Sequence, residues 1–336
     1  MTLGFDPVAF ASALVDIDST TGREAEAGRW LAERLRELGY TVVEQPLERG
    51  CANVIATLDA PAVVLTTHYD CVPPFFPSRV ENGRLYGRGA CDAKGILAAQ
   101  VADVERLRAR GERRVGLLFV AGEERGSDGA KAANGVAPGS RFLINGEPTD
   151  NRLALATRGV LRVRLRAEGR AAHSAAPEHG ESAIDKLIDA LVRLRSIELP
   201  SDPELGGTFY SVGLIEGGIA PNVISPHATA EILFRTTGAA EDLLRALRPL
   251  DPFVTSEQVL RVPSVRLHIV PGFPAAVFPF TTDVPFLDRW GTPLLFGPGS
   301  FLVAHTSEEH LALGELDEAV DAYARLAMAC LSAGPA

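Results

Sequence analysis

Residues 115–124 read VGLLFVAGEE, an unbroken apolar run that stops at two adjacent glutamates, Glu123 and Glu124. A short run of this kind, apolar at every position, is expected of a strand buried on both faces. The same pattern recurs on either side of it. AVVLTTHYD at 62–70 runs into His68 and Asp70, and RFLINGEP at 141–148 runs into Glu147. PLLFGPG at 293–299 leads through a glycine-rich loop toward His305. TVVEQP and NVIATL precede the first of these runs as further strands. Helical spacing fills the intervals: Trp30, Leu31, Leu35 and Leu38 within 23–38, then Leu97, Val101, Val104 and Leu107 within 93–110, each closed by a glycine. Buried strands alternating with amphipathic helices predict an α/β domain with a largely parallel sheet.

The pattern changes at Arg158. In LRVRLRA at 161–167 apolar residues alternate with arginines, as in a strand with one wet face. A helix follows with Ile184, Leu187, Ile188, Leu191 and Leu194 on one stripe. TFYSVGLI, ATAEILFRTT, a helical patch near 240–248 and SVRLHIV complete a βαββαβ order, that of a ferredoxin-like α+β sandwich. After Pro271 the first style returns and ends in a helix over 315–331. The expectation is therefore one α/β domain, residues 1–157 and 271–336, interrupted by an inserted domain at 158–270.

Composition narrows the function. Of the 336 residues 46% are hydrophobic and 23% charged, an ordinary globular balance, and the net charge of -10 offers no pull toward nucleic acid or anionic lipid. No apolar run approaches the ~18 residues of a membrane span, and Met1–Asp18 lacks the basic start of a secretory signal. Cys51, Cys71, Cys91 and Cys330 form no CxxC pair and read as reduced thiols in a cytoplasmic protein.

Each acid and histidine has an ordinary reading when taken alone. His68 could be a hydrogen-bonded surface histidine, Glu123–Glu124 a solvated pair, Asp92 a helix N-cap and Glu147 part of a turn. Their joint placement is harder to obtain by accident. Three strand ends carry His or Glu within a few residues, a fourth leads to His305, and ligands in open α/β sheets bind outside the carboxyl ends of strands. The blocks HYDCVPP, LYGRGACDAKG, AGEERGSDGA, NGEPT and FGPGSFLVAHTSEEH closely resemble the metal and catalytic motifs of the M20 metallohydrolases. EGRAAHSAAPEHGESAI, EGGIAPNVI and EILFR extend the resemblance through the insert, so that it covers nearly the whole chain.

The resemblance implies a zinc-peptidase-like catalytic domain with a ferredoxin-like lid that dimerises. It implies two zinc ions, replaceable by cobalt or manganese, bridged by Asp92. His68 and Glu147 would complete one site, Glu124 and His305 the other, leaving a Lewis-acidic pair suited to a bridging hydroxide. Asp70 would orient the His68 imidazole, and Glu123 would be the general base. From the lid, His173 would donate to the transition state in the partner subunit's site. Asn222 and Arg235 would bind substrate, Arg235 by paired hydrogen bonds to a carboxylate, with Gly299 letting the backbone approach the same end. His179, His227, His268 and His310 receive no such role.

The chain departs from the family's pattern at two places. Thr67 stands where glycine is common, and only about ten residues separate the expected last lid strand from the segment carrying Thr282 and Asp283. The leading expectation is hydrolysis of an N-acyl amino acid, as by acetylornithine or acetyl-lysine deacetylases. A dipeptidase or carboxypeptidase is the nearest alternative, and a non-catalytic metal-binding dimer is the alternative of another class. A two-metal nuclease or phosphatase is disfavoured by the acidic charge and the lack of a phosphate-cradling loop.

Overall fold

The computed structural model describes residues 4–333. Its main elements are α1 (Pro7–Val15), α2 (Ala25–Glu37), β1 (Thr41–Pro46), β2 (Ala52–Thr57), β3 (Val63–His68), α3 (Lys94–Ala109), β4 (Val115–Val120), α4 (Glu123–Gly126), α5 (Asp128–Ala133) and β5 (Phe142–Asn145). There follow β6 (Gly159–Glu168), α6 (Ala183–Leu194), β7 (Phe209–Gly217), β8 (His227–Thr236), α7 (Ala240–Ala246), β9 (Thr255–Val262), β10 (Thr292–Leu295) and α8 (Leu313–Ser332). Two compact units result. One holds the chain up to Leu155, Leu267–Ala276 and the chain from Thr282 onward; the other holds Ala156–Arg266 and Val277–Thr281.

The first unit is built on a six-stranded sheet in the order β1-β2-β4-β3-β5-β10. Strands β4, β3, β5 and β10 are mutually parallel, while β1 and β2 are antiparallel additions at one edge. Successive residues of β3 point to opposite faces. Val63 and Leu65 therefore enter a core with helices α1, α2, α3 and α8, whereas Val64 joins Trp290, Leu287 and the alanines of α5 on the other face. Burial on both sides explains why these strands read as continuous apolar runs. Helix α1 went unanticipated. Its start is fixed by Asp6, whose carboxylate accepts from the N–H groups of Val8 and Ala9, and by Pro7 in the first turn.

The second unit carries an antiparallel sheet in the order β7-β8-β6-β9. Leu161, Val163, Leu165 and Ala167 of β6 pack under α6 and α7. On the wet face, Arg164 pairs with Glu231 and Arg166 with Glu257. The connectivity is the expected βαββαβ, but the fourth strand is TSEQVLRV (β9), not SVRLHIV. Strand β9 is an edge strand with mostly exposed side chains, so it carries little apolar signal. Of SVRLHIV only Val265 and Arg266 pair, with Thr157 and Ala156. The connection to Thr282 is thus longer than expected, and part of it forms a strand at Ala275–Phe278. Ile188 also leaves the expected core stripe: it is 52% exposed on the outer side of α6, beside Val192 at 59%.

Candidate metal centre

The register aligns the carboxyl ends of the four parallel strands. His68 ends β3 opposite Val120 of β4, and Asn145 of β5 sits opposite Leu295 of β10. His68, Glu123, Glu124, Glu147 and the 297–305 loop consequently leave the sheet from the same edge. Thr67 helps hold that edge, its hydroxyl donating to the Gly146 carbonyl at 2.8 Å.

His68 is buried. Its Nδ1 lies 3.0 Å from the backbone carbonyl of Asp70 and 3.6 Å from the Asp70 carboxylate. The carbonyl, not the carboxylate, is therefore its direct partner. It fixes the proton on Nδ1 and leaves Nε2 free to ligate. The Asp70 carboxylate accepts instead from the N–H groups of Glu123 (3.2 Å) and Glu124 (3.1 Å), tying the loop after β3 to the loop after β4. The same carboxylate stays beside the imidazole while it serves both amides.

Asp92 is not a helix cap. Ala93 occupies that position at α3 with no side-chain capping bond, and the Asp92–Ala93 peptide is cis. The two Asp92 oxygens face different histidines: Oδ1 is 3.0 Å from His68 Nε2, and Oδ2 is 3.3 Å from His305 Nε2. Glu124 Oε1 lies 2.8 Å from the same His305 nitrogen. Two sets of three donor atoms follow, His68–Asp92–Glu147 and Asp92–Glu124–His305, each with all its atoms within 4.8 Å of one another. Asp92 is common to both, and Glu123 belongs to neither. His305 holds φ of 65°, a left-handed backbone that a non-glycine residue seldom adopts and that recurs at functional sites.

The electrostatics fit a cation. Burial pushes Glu123 well above the usual carboxylate range, reinforced by Glu147 and Asp283. Burial does the same to Glu147, with Asp92 and Asp283 adding to it, and raises Asp283 to about 6. Burial opposes ionisation of Asp92 too, but its hydrogen bonds to His305 and His68 outweigh that and hold it low. Hydrogen bonds to Asp92 and Glu124 raise His305 to about 10. Two imidazoles cannot balance Asp92, Glu123, Glu124, Glu147 and Asp283 in so small a space. Oxygen and nitrogen donors in two trios suit a pair of divalent ions.

Gly299 has φ of 81°, and a Cβ there would meet Cys91 Sγ at 2.6 Å, so the glycine lets its loop close onto the Asp92 loop. Sequence reasoning overlooked Asp283 as a member of the acid cluster, and it overlooked a buried Arg88–Glu309 pair. Arg88 and Glu309 lie in quoted motifs and Asp283 in the segment after the lid, but nothing in their spacing marks them as partners of the site.

The remaining expected residues belong to the second unit. His173 is exposed, and its Nδ1 accepts from the Ala175 N–H at 3.1 Å, which puts the proton on Nε2. Asn222 is its neighbour, since the Ser174 N–H donates to the Asn222 carbonyl and His173 bridges Val223. Arg235 lies near the far end of β8, partly buried, and among the described residues its guanidinium has no hydrogen-bonded or ionic partner.

Comparison with known proteins identifies the family. The profile described as Peptidase family M20/M25/M40 matches residues 64–329. A protein of Aspergillus clavatus named probable carboxypeptidase is 36% identical, over 96% of this chain and 82% of its own length. A peptidase M20 domain-containing protein of Schizosaccharomyces pombe is 35% identical, over 97% of this chain and 85% of its own. Among solved structures, the aminopeptidase PepT of Bacillus cereus superposes with a TM-score of 0.81 at 20% identity, covering 97% of this chain and 98% of that one.

Proposed function

The chain belongs to peptidase family M20/M25/M40, and from that premise we propose that this metallopeptidase is a dinuclear carboxypeptidase or dipeptidase, cleaving the amide bond next to a free α-carboxylate. The two donor trios sharing Asp92, with Glu123 beside them and outside both, carry this reading. His68, Asp92 and Glu147 would hold one ion, and Asp92, Glu124 and His305 the other. Zinc is the first choice for N/O sets of this kind, with cobalt or manganese able to replace it. Bound there, the ions would supply Lewis acidity toward the scissile carbonyl.

Glu123 is the general base. It takes the proton of the attacking water and delivers it to the departing amine. Asp70 sets the direction of Glu123 and Glu124 by accepting both their backbone N–H groups. Arg235, a partly buried guanidinium with no acceptor among the described residues, binds the substrate carboxylate, and Gly299 lets its backbone approach the substrate. His173 donates from Nε2 to the developing oxyanion, and Asn222 binds beside it.

Geometry within the second unit supports action in trans. The His173–Asn222 loops join the start of β8, whereas Arg235 lies eight residues beyond His227, roughly 26 Å away at the rise of a strand. A single small substrate that uses both ends therefore draws on two chains, which favours a homodimer. Strand β7 offers the surface for one: it is an edge strand with Leu214 and Ile215 exposed, followed by an exposed Ile219.

The relatives' names support the peptidase reading over the N-acyl amino acid deacetylase that the sequence motifs first suggested. No described helix is long and apolar enough to cross a membrane. The four free thiols favour the cytoplasm. The deciding experiment is a hydrolysis screen of metal-loaded enzyme against dipeptides, longer peptides and acetylated amino acids. Cleavage at carboxyl-terminal peptide bonds is expected; turnover of acetylated amino acids alone would restore the deacetylase.

A further inference from the structure

Glu309 follows His305 by four residues, and its side chain is 1% exposed. Its carboxylate is fully engaged. Oε2 accepts from Arg88 Nη1 at 2.5 Å, while Oε1 accepts from the backbone N–H groups of Gly89 (2.9 Å), Asp92 (3.2 Å) and Cys91 (3.3 Å). The Glu309 carbonyl takes the Gly87 N–H at 3.2 Å as well. Arg88 is equally buried, anchored by its Nε to the Pro74 carbonyl and lying over the Phe76 ring.

One residue of the His305 segment thus grips the loop that delivers Asp92, down to the amide of Asp92 itself. A buried ion pair is a poor source of net stability compared with apolar packing, so its retention here calls for another use. Asp92 supplies that use, because its two oxygens must face His68 and His305 together, and a displacement of about 0.5 Å spoils one of them.

We propose that Glu309 is a positioning residue that holds Asp92 between the two donor trios, so that the two metal ions bind as a coupled pair. The proposal rests on reading those trios as the metal ligands. Stripped wild type and Glu309→Gln are titrated with Zn²⁺ by calorimetry, ions per chain are counted by native mass spectrometry, and unfolding of the stripped proteins is followed in parallel. Glu309→Gln is expected to fold and to lose about 10–100-fold in zinc affinity, the usual effect of removing a group that orients a ligand. Arg88→Lys, which keeps a cation beside Glu309 and leaves its three backbone donors in place, should bind within a few-fold of wild type.

A merely structural role would lower the unfolding temperature and leave the zinc affinity of the folded protein unchanged, and that result overturns the proposal. Should Glu309→Gln give no folded fraction, Glu309→Asp is measured identically; if that also fails to fold, Glu309 serves folding and the proposal is wrong. Wild type that takes fewer than two ions refutes the dinuclear reading instead.

Discussion

Glu123→Gln should separate chemistry from metal binding. The exchange keeps the side chain's size and leaves every atom of both donor trios in place, since Glu123 belongs to neither. Metal content should therefore stay at two ions per chain. Turnover should fall by roughly 10²–10⁴, the worth of a general base, which is about 2.7–5.5 kcal/mol in the barrier. Glu124→Gln acts on the other term. It removes one of the three donors of the Asp92–Glu124–His305 trio, so metal is lost first and activity with it. The stripped proteins give a second, opposite readout. Without metal, burial first, and then Glu147 and Asp283, disfavour the Glu123 carboxylate. A neutral amide removes a penalty of roughly 1–3 kcal/mol, enough to raise the unfolding temperature of a unit this size by about 2–10 °C. The assay is metal analysis, turnover and thermal unfolding on the same preparations of both variants. If Glu123→Gln sheds metal while Glu124→Gln keeps it, the roles are reversed; if Glu123→Gln keeps both metal and full turnover, the mechanism is wrong.

Arg235→Ala should cost about 2–4 kcal/mol in kcat/KM, and amidating the substrate carboxylate should cost wild type a similar amount and the variant almost nothing. Equal penalties in both proteins would show that Arg235 does not read the carboxylate. Coexpressing Glu123→Gln with His173→Ala should restore roughly a quarter of wild-type activity, because a mixed dimer keeps one site with both residues intact; no recovery in isolated mixed dimers argues that His173 does not act across subunits. Asp103 on α3 is fully buried with neither carboxylate oxygen hydrogen-bonded, and burial pushes its pKa well up. A raised folded-state value means that its stability contribution is complete below the unfolded value near 4 and is lost as the pH climbs toward the folded one. Asp103→Asn should accordingly stabilise the protein at pH 8 by roughly 1–3 kcal/mol and less at pH 5, as read by urea unfolding; equal gains at both pH values would contradict it.

The order of most elements and the parallel sheet were legible because each rests on a local pattern, whereas the five proposed donor residues rested on the motifs' resemblance to the M20 metallohydrolases. Apolar runs such as VGLLFVA are expected of doubly buried strands, and a parallel sheet sends the ends of all such strands to one edge, where His68, Glu124 and Glu147 are expected to meet. Strand β9 escaped because an edge strand with wet side chains leaves no apolar signature. Three features belong to the tertiary structure alone. The Asp70 carboxylate serves the amides of residues more than fifty positions away, the Glu309 carboxylate grips a loop more than two hundred positions earlier, and Asp283 closes the acid cluster from a distant segment. A carboxylate's choice among donors depends on which amides the folded chain brings within about 3 Å, and periodicity in a sequence carries no record of that distance.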